Sequence, residues 1–202
     1  MVNLKSGFYI VTGGLGLLGQ KHCEAIVDYG GTPVIFDINP KNFESFKKNL
    51  LKNNSIEPIF IQTDITNENS IIDSIKYLLK QDICIRGLIN NAARNPSVSS
   101  QGLENSNRLE EFDINEWEED LKVGLTGSFL CTKIIGSIMN SQNGGSIINI
   151  SSDLGLIAPN QNLYRKDNIK DNEQFVKPIS YSVVKSGLIG MTRYTSTYWP
   201  TK

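Results

Sequence analysis

The chain has 202 residues, of which 39% are hydrophobic and 20% charged, the balance of an ordinary soluble globular domain. Its formal net charge of -1 offers no basic surface, which argues against a nucleic-acid partner. His22 is the only histidine, and this excludes both a Ser-His-Asp hydrolase and a histidine-based zinc site.

Cysteine usage and the N-terminal segment indicate the compartment. Cys23, Cys84 and Cys131 are odd in number and widely spaced in apolar segments, so we predict buried, reduced thiols rather than disulfides or a metal site. No long apolar run follows the first seven residues, so we expect neither a signal peptide nor a membrane span. The sequence therefore predicts a cytoplasmic protein with no membrane partner.

Apolar strands alternate with amphipathic helices in the first half of the chain. We predict strands over residues 8–12, 34–37, 58–62 and 83–90. Helical spacing predicts one helix from Leu17 to about residue 30, one from Asn39 to residue 53, and a third that Asp64 and Thr66 can cap. This alternation favours an α/β fold: a doubly wound parallel sheet (Rossmann) with helices on both faces.

The second half begins with a polar loop over residues 94–112 and a long helix over residues 113–140. A fifth strand over residues 146–151 follows, and a polar stretch, residues 153–178, separates it from a last helix over residues 179–199. Asp113 and Glu116 form a capping arrangement at the start of the long helix. The helix dipole favours acidic residues there, and a cation site is the alternative.

The sequence TGGLGLLG, residues 12–19, joins the first strand to the first helix, as in a dinucleotide site. Gly13 allows the tight turn, Gly16 lets the backbone approach a pyrophosphate at the helix N-terminus, and Gly19 lets the helix pack closely on the strand. The alternative is a tight turn between strand and helix with no ligand. We expect a nucleotide site because the motif lies between a predicted strand and a predicted helix.

An acidic residue closes the second strand. Asp37 lies 18 residues beyond Gly19, where an aspartate in a dinucleotide fold accepts hydrogen bonds from the adenine ribose. Its charge would repel a 2′-phosphate, so NAD is preferred over NADP, although Lys41 lies close by. The alternative is an aspartate that only caps a helix. Asp64 and Ile65, after the third strand, would lie along the same crevice.

Five motifs occur in one characteristic order: TGGLGLLG at 12–19, DI at 64–65, NNAA at 90–93, IINISS at 147–152 and YSVVK at 181–185. In this order the chain resembles the short-chain dehydrogenase/reductase family along nearly its whole length. The resemblance implies one NAD-binding Rossmann domain over residues 1–202. It also implies an NAD-dependent oxidoreductase that interconverts an alcohol and a ketone.

The resemblance carries three catalytic residues onto this sequence: Tyr181 as the acid/base, Lys185 as the cation that favours the phenolate and holds the nicotinamide ribose, and Ser152 as the donor to the reacting carbonyl. Residues four apart lie on one helical face, so Lys185 can act on Tyr181. The implied cofactor-binding residues are Gly13, Leu15, Gly16, Leu17, Leu18, Gly19, Asp37, Asp64, Ile65, Asn91, Ala92, Tyr181 and Lys185.

A second Tyr-x-x-x-Lys spacing, Tyr198 to Lys202, shows that the spacing alone is uninformative. Tyr181 follows the fifth strand and heads an amphipathic helix, whereas Lys202 lies beyond Pro200. We therefore choose Tyr181. The alternative for it is a core tyrosine beside a solvated lysine.

The chain departs from the ordinary family pattern in four ways. Its glycine spacing is that of the family's extended branch, which works on nucleotide sugars. Ser152 and Tyr181 are 29 positions apart, which predicts an enlarged loop at the mouth of the substrate site or a tolerated surface insertion. Gly124 occupies the position where the family normally has asparagine. A role of that asparagine's backbone carbonyl could be kept by glycine, whereas a role of its side chain would be lost. Lastly, the chain ends after the Tyr181 helix, which we interpret as a C-terminal truncation.

Residues 151–161 and 177–188 resemble the flagellin-modification (PtmA-type) oxidoreductases of bacterial surface-glycan synthesis. This likeness implies a sugar or nucleotide-sugar substrate. The rival hypothesis is a truncated, catalytically inactive nucleotide-binding or interaction module. The long helix and the Tyr181 helix resemble those of the family's dimer interface, which implies a homo-oligomer in the full-length form of the family.

The interpretation as a truncated chain carries a physical expectation. In the strand order 3-2-1-4-5-6, the fifth strand becomes an unprotected edge when a sixth is missing. We expect the last helix to leave Leu188, Ile189, Met191 and Trp199 partly exposed. The chain expressed alone should then be poorly soluble or self-associated, with little activity.

Overall fold

The structure is a computed structural model, and it describes residues 4–5, 7–94, 98–99, 102–103 and 107–199. Its strands are β1 (Phe8–Thr12), β2 (Thr32–Asp37), β3 (Ile59–Gln62), β4 (Ile85–Asn90), β5 (Val98–Ser99), β6 (Gly102–Leu103) and β7 (Ser146–Asn149). Five of them form a parallel sheet in the order β3-β2-β1-β4-β7, while β5 and β6 pair antiparallel on their own. The predicted doubly wound α/β fold is confirmed.

Among the described residues, six α-helices accompany the sheet: α1 (Leu17–Asp28), α2 (Phe43–Leu50), α3 (Glu68–Leu79), α4 (Ile114–Leu121), α5 (Ser128–Ser141) and α6 (Ile179–Tyr198). A π-helical segment, Lys122–Gly127, joins α4 to α5, so the predicted long helix is continuous but locally widened. Three short 3₁₀ turns, Asp153–Gly155, Gln161–Tyr164 and Asp171–Glu173, lie in the stretch between β7 and α6.

Apolar residues on the two faces of the sheet build two cores. Neighbouring residues of a strand point to opposite faces, and Ile10 and Val11 of β1 accordingly belong to different clusters. One face packs against α3 and α5 through Ile71, Ile75, Leu78, Cys131, Ile135 and Met139. The other packs against α1 and α2 through Cys23, Ile26, Val27, Phe46 and Leu50. Both faces are therefore covered, as a parallel sheet requires.

One helical stretch among the described residues, Ile114–Ser141, is long and apolar enough to cross a membrane by length and composition alone. Its second part, α5, buries Cys131, Ile135 and Met139 against the sheet. We therefore interpret this stretch as a core helix.

Several local predictions need correction. Asn67, rather than Asp64 or Thr66, caps α3, because its side-chain oxygen accepts the N–H groups of Asn69 and Ser70. Strand β2 begins two residues earlier than predicted, and β7 ends two residues earlier. At the start of α4 only the Asp113 half of the capping arrangement forms, since its carboxylate accepts two backbone N–H groups while Glu116 binds Arg94.

The thiols and the sheet edge follow the predictions in part. Cys23 and Cys131 are free and buried, and burial raises the pKa of each thiol to about 12, whereas Cys84 is free but only partly buried. Strand β7 is an edge of the sheet, and Ile148 on it is 51% exposed. The expectation for Leu188 was wrong, because this residue is buried.

Candidate active site

The glycine turn between β1 and α1 depends on backbone approaches that side chains would block. Gly13 has φ +60, in the left-handed region, and its N–H donates to the Phe36 carbonyl at 2.8 Å. A β-carbon at Gly19 would overlap the Gly13 carbonyl oxygen and lie 2.7 Å from the Gly14 Cα. Gly19 thus packs the helix against the turn itself, rather than against the strand as predicted.

Thr12 and Asn91 fasten the carboxyl ends of β1 and β4 to each other. The buried Thr12 hydroxyl accepts the N–H groups of Asn91 and Ala92, each at 3.0 Å. In return, the Asn91 side-chain amide donates to the carbonyls of Thr12 at 2.9 Å and Gly13 at 3.1 Å. These four bonds fix the turn against the following strand end, so the floor of the site is rigid before any ligand arrives.

A crevice of about 490 Å³ opens along these strand ends. It brings together eleven of the predicted site residues: Gly13, Gly16, Leu17, Leu18, Asp37, Asp64, Ile65, Asn91, Ala92, Tyr181 and Lys185. Leu15, Gly19 and Ser152 do not line it. Leu15 is buried, and it acts through its backbone, where its N–H donates to the Asp37 carboxylate at 3.1 Å.

The two acidic residues of the crevice are anchored locally. Asp37 accepts the Leu15 N–H with one oxygen and the Asn39 N–H, at 3.0 Å, with the other. Asp64 accepts both the N–H and the hydroxyl of Thr66, at 2.9 and 2.7 Å. Both carboxylates are therefore held at the crevice in a fixed orientation.

Tyr181 and Lys185 lie one turn apart on α6 and both face the crevice. The Lys185 Nζ lies 5.6 Å from the centroid of the Tyr181 ring and donates to the Ile150 carbonyl at 2.6 Å. Lys185 is only 7% exposed, and burial, assisted by the charge of Lys177, lowers the pKa of its ammonium. The site therefore presents a desolvated cation beside a phenol.

The two serines after β7 occupy different places. Ser151 lines the crevice and donates its hydroxyl to the Lys185 carbonyl at 2.8 Å. Ser152 begins a 3₁₀ turn, where its hydroxyl donates to the Asp153 carboxylate at 2.7 Å and accepts the Leu154 N–H at 3.2 Å. The catalytic role of Ser152 stays a prediction, and in this structure its hydroxyl is engaged away from the crevice.

Gly124, in the position of the family's asparagine, lies in the π-helical segment and is buried. Its carbonyl accepts the Ser128 hydroxyl at 2.9 Å. A β-carbon at this position would lie 2.6 Å from Cγ1 of Val184, the residue before Lys185. The missing side chain therefore makes room for Val184 of α6.

A polar network that the sequence did not predict joins the crevice to α4 and α6. Arg94, which lines the crevice, pairs with Glu116 at 2.9 Å and with Asp120 at 3.5 Å. Asp120 also accepts the hydroxyl of the buried Ser180 at 2.5 Å, beside Tyr181. Burial raises the pKa of Asp120, against the lowering effects of Ser180 and Arg94. The acidic residues Glu116 and Asp120 of α4 thus form ion pairs within the protein. No group of three or more His, Cys, Asp or Glu among the described residues is arranged to hold a metal.

A comparison with protein families agrees with this geometry. A family model described as short chain dehydrogenase matches residues 8–164. The chain belongs to the short-chain dehydrogenase family. This family uses the nicotinamide nucleotides NAD(H) or NADP(H) as cofactors.

Relatives cover the chain almost completely. An uncharacterized oxidoreductase of Bacillus subtilis, YxjF, is 27% identical over 184 residues, which are 91% of this chain and 62% of the relative. A probable galactose dehydrogenase of Rhizobium meliloti, GalD, is 26% identical over 191 residues, or 95% and 65% of the two chains. The crystal structure of levodione reductase matches with a TM-score of 0.81 at 20% identity, over 98% of this chain and 67% of that chain. The chain thus spans less than two thirds of the length of these two curated relatives.

Proposed function

We propose that this short-chain dehydrogenase carries out NAD-dependent interconversion of an alcohol and a ketone on a sugar or nucleotide sugar. The observation that carries the proposal is the placement of Tyr181 and Lys185 on α6, facing a crevice that begins at the glycine turn. The phenol of Tyr181, the ammonium of Lys185 and a glycine-rich turn of the kind that binds a pyrophosphate thus line one crevice.

The residues present fit a dinucleotide. The left-handed Gly13 and the glycine N-cap Gly16 leave backbone open at the start of α1, where the helix dipole favours a pyrophosphate. Asp37 lies at the end of β2, in reach of an adenine ribose, and Asp64 and Ile65 continue the same wall. Asn91 and Ala92 form the opposite wall, beside Tyr181 and Lys185.

The reaction needs a hydride and a proton to move together. The nicotinamide, when bound, supplies the hydride donor or acceptor. Tyr181 gives a proton to the carbonyl oxygen of the substrate during reduction and takes it from the carbinol during oxidation. Lys185 stabilises the phenolate by its charge, and its bond to the Ile150 carbonyl fixes where that charge lies. A serine donor to the reacting oxygen would come from Ser152 after its hydroxyl leaves Asp153.

Charge at position 37 supports NAD over NADP. A carboxylate there repels a 2′-phosphate, and its two oxygens are held by the backbone N–H groups of Leu15 and Asn39. Residues 151–161 and 177–188 support a substrate of bacterial surface-glycan synthesis through their likeness to flagellin-modification oxidoreductases. The name of the GalD relative, a probable galactose dehydrogenase, agrees with a carbohydrate. We further propose a cytoplasmic homo-oligomer.

Two tyrosines of α6 provide a matched test. In an active form of the protein, Tyr181→Phe should abolish NAD-dependent turnover of hexoses and nucleotide sugars, with NADH affinity by calorimetry nearly unchanged, because it deletes only the proton donor. Tyr198→Phe, at the other Tyr-x-x-x-Lys and 61% exposed, should change neither quantity. Wild-type kcat in Tyr181→Phe would refute the acid/base assignment, and NADP(H) binding as tight as NAD(H) would remove Asp37 from the ribose role.

A further inference from the structure

A second cavity, of about 370 Å³, lies beside the first turn of α6. Its polar and charged lining consists of Arg108, Glu110, Gln161, Lys177 and Ser182. None of these residues lines the cofactor crevice, whereas Tyr181, which lies next to Ser182 in the chain, does. The link between this cavity and the crevice is therefore Lys177, which lines the cavity and whose Nζ lies over the Tyr181 ring.

Within the part of the chain that the structure describes, Lys177 is the cation of this cavity that has no carboxylate partner. Its Nζ lies 3.8 Å from the centroid of the Tyr181 ring, closer than the Nζ of Lys185. Among the described residues no ion pair of Lys177 is found, and Glu110, the acidic residue of the lining, pairs with Arg108 at 2.9 Å. Burial lowers the pKa of the Lys177 ammonium. A partly buried ammonium whose described partner is an aromatic ring and not a carboxylate would stabilise an anion bound beside it.

The surroundings of Lys177 are prepared for a polar ligand. The Ser182 hydroxyl is buried, and no hydrogen-bond partner for it exists among the described residues. The Gln161 side-chain oxygen accepts the Lys177 backbone N–H at 2.8 Å, which fixes the end of the long stretch between β7 and α6. A hydroxyl donor without an acceptor and a cation without an anion thus line the same space.

We infer that this cavity binds an anionic group of the substrate, a carboxylate or a phosphate, with Lys177 as its cation and Ser182 as a hydroxyl donor. The inference rests on the proposed function, because it places the reacting carbinol at Tyr181 and the anion across its ring. It also gives the enlarged stretch before α6 a role, since that stretch delivers Lys177 to the cavity. The net charge of the lining supports it: Arg108 and Glu110 compensate each other, and Lys177 remains.

Three hexoses that differ only at C6 test this specificity: D-galactose, D-galacturonate and D-galactose 6-phosphate, each assayed with NAD⁺. Lys177→Met should lower kcat/KM for the two anionic sugars by roughly tenfold to a hundredfold more than for galactose, the value of a hydrogen bond to a charged group. Lys166→Met is the matched control, because Lys166 lies over the Phe175 ring at 4.3 Å in the same stretch. Equal losses for all three sugars would overturn the inference.

A binding measurement on the same chain needs no turnover and so separates this inference from the proposed function. Reductive ¹³C-methylation keeps the lysine charges, and the signal missing in Lys177→Met identifies Lys177. Galacturonate or galactose 6-phosphate should shift the Lys177 signal saturably and move its titration to higher pH. A shift with galacturonate indicates a carboxylate site, and a shift with galactose 6-phosphate indicates a phosphate site. No shift with either anion, the same shift with galactose, or the same shift with NAD⁺ alone would overturn the inference.

Discussion

The glycine-turn end of the crevice and the stretch between β7 and α6 border the same Tyr181, but they are built differently. At the turn, Thr12, Gly13, Asn91 and Ala92 are joined by reciprocal bonds through buried groups. The stretch at residues 153–178 is fastened at a few points, chiefly by the buried Gln174, which binds the backbone of Lys166 and Ile169.

This difference separates two tasks. A nucleotide shared by a whole family needs a fixed cradle, and backbone contacts that exclude side chains supply one. Recognition of one substrate needs side chains that can vary without disturbing the sheet, and surface loops allow this. Leu163, which is 78% exposed in the stretch, shows how little of the core depends on it. We therefore expect substitutions to be costly at the turn and tolerated near the substrate.

The largest effect should come from Gly19→Ala. The new methyl group would meet the carbonyl of Gly13 and the Cα of Gly14, and backbone cannot move aside as a flexible side chain can. We expect a loss of about 3 kcal/mol or more in the free energy of unfolding, together with weakened NADH binding. Urea unfolding and calorimetry measure the two quantities.

Gly190→Ala is the control for this prediction. Gly190 lies in α6, and nothing lies within 4 Å of the β-carbon it would gain. The exchange should stabilise the protein by roughly 1 kcal/mol through helix propensity. If Gly19→Ala were equally harmless, the rigid cradle would be refuted.

A smaller effect is expected where the two regions meet. Gly124→Ala would place a methyl group 2.6 Å from Cγ1 of Val184 and cost about 1–3 kcal/mol. Val184→Ala opens a cavity at the same place. The double variant should be more stable than the sum of the single losses predicts, by about 1 kcal/mol or more. Urea unfolding of the four proteins tests it, and strictly additive losses would show that Gly124 does not make room for Val184.

The sequence predicted the parts of this molecule that depend on local rules. Apolar runs and glycine spacing predicted the five parallel strands and the turn, because a buried parallel strand has few alternatives. Eleven crevice residues could be predicted from the family resemblance, which placed most of them just after the ends of strands, where parallel strands meet at one edge, and Tyr181 and Lys185 on the last helix. That residues 1–202 form a single domain stays a prediction.

The remainder depended on contacts between distant residues. Arg94, Asp120 and Ser180 come together only through the packing of α4 against α6, and no spacing in the chain indicates it. Lys177 reaches Tyr181 from an irregular stretch whose path has no period. The wrong prediction of Asp64 in place of Asn67 as the N-cap of α3 has a different cause. Aspartate and asparagine are both favoured at an N-cap, and only the position at which the helix begins decides between them.

The smallest effect on stability, but a distinct one on association, is expected at the sheet edge. Ile148 on β7 is half exposed, while Ile147 next to it packs against the core, because alternate residues face opposite sides. Ile148→Lys should change the free energy of unfolding by no more than about 0.5 kcal/mol, whereas Ile147→Lys should cost about 2 kcal/mol or more. An exposed apolar edge also offers unpaired backbone groups to another chain, and a lysine there opposes such pairing. Light scattering should therefore show self-association of the wild-type chain at concentrations where Ile148→Lys is less associated. A wild-type chain that stays monomeric throughout would show that β7 is protected from pairing with another chain. The contrast between the tightly bonded glycine turn and the loosely fastened stretch at residues 153–178 would then not extend to this edge of the sheet.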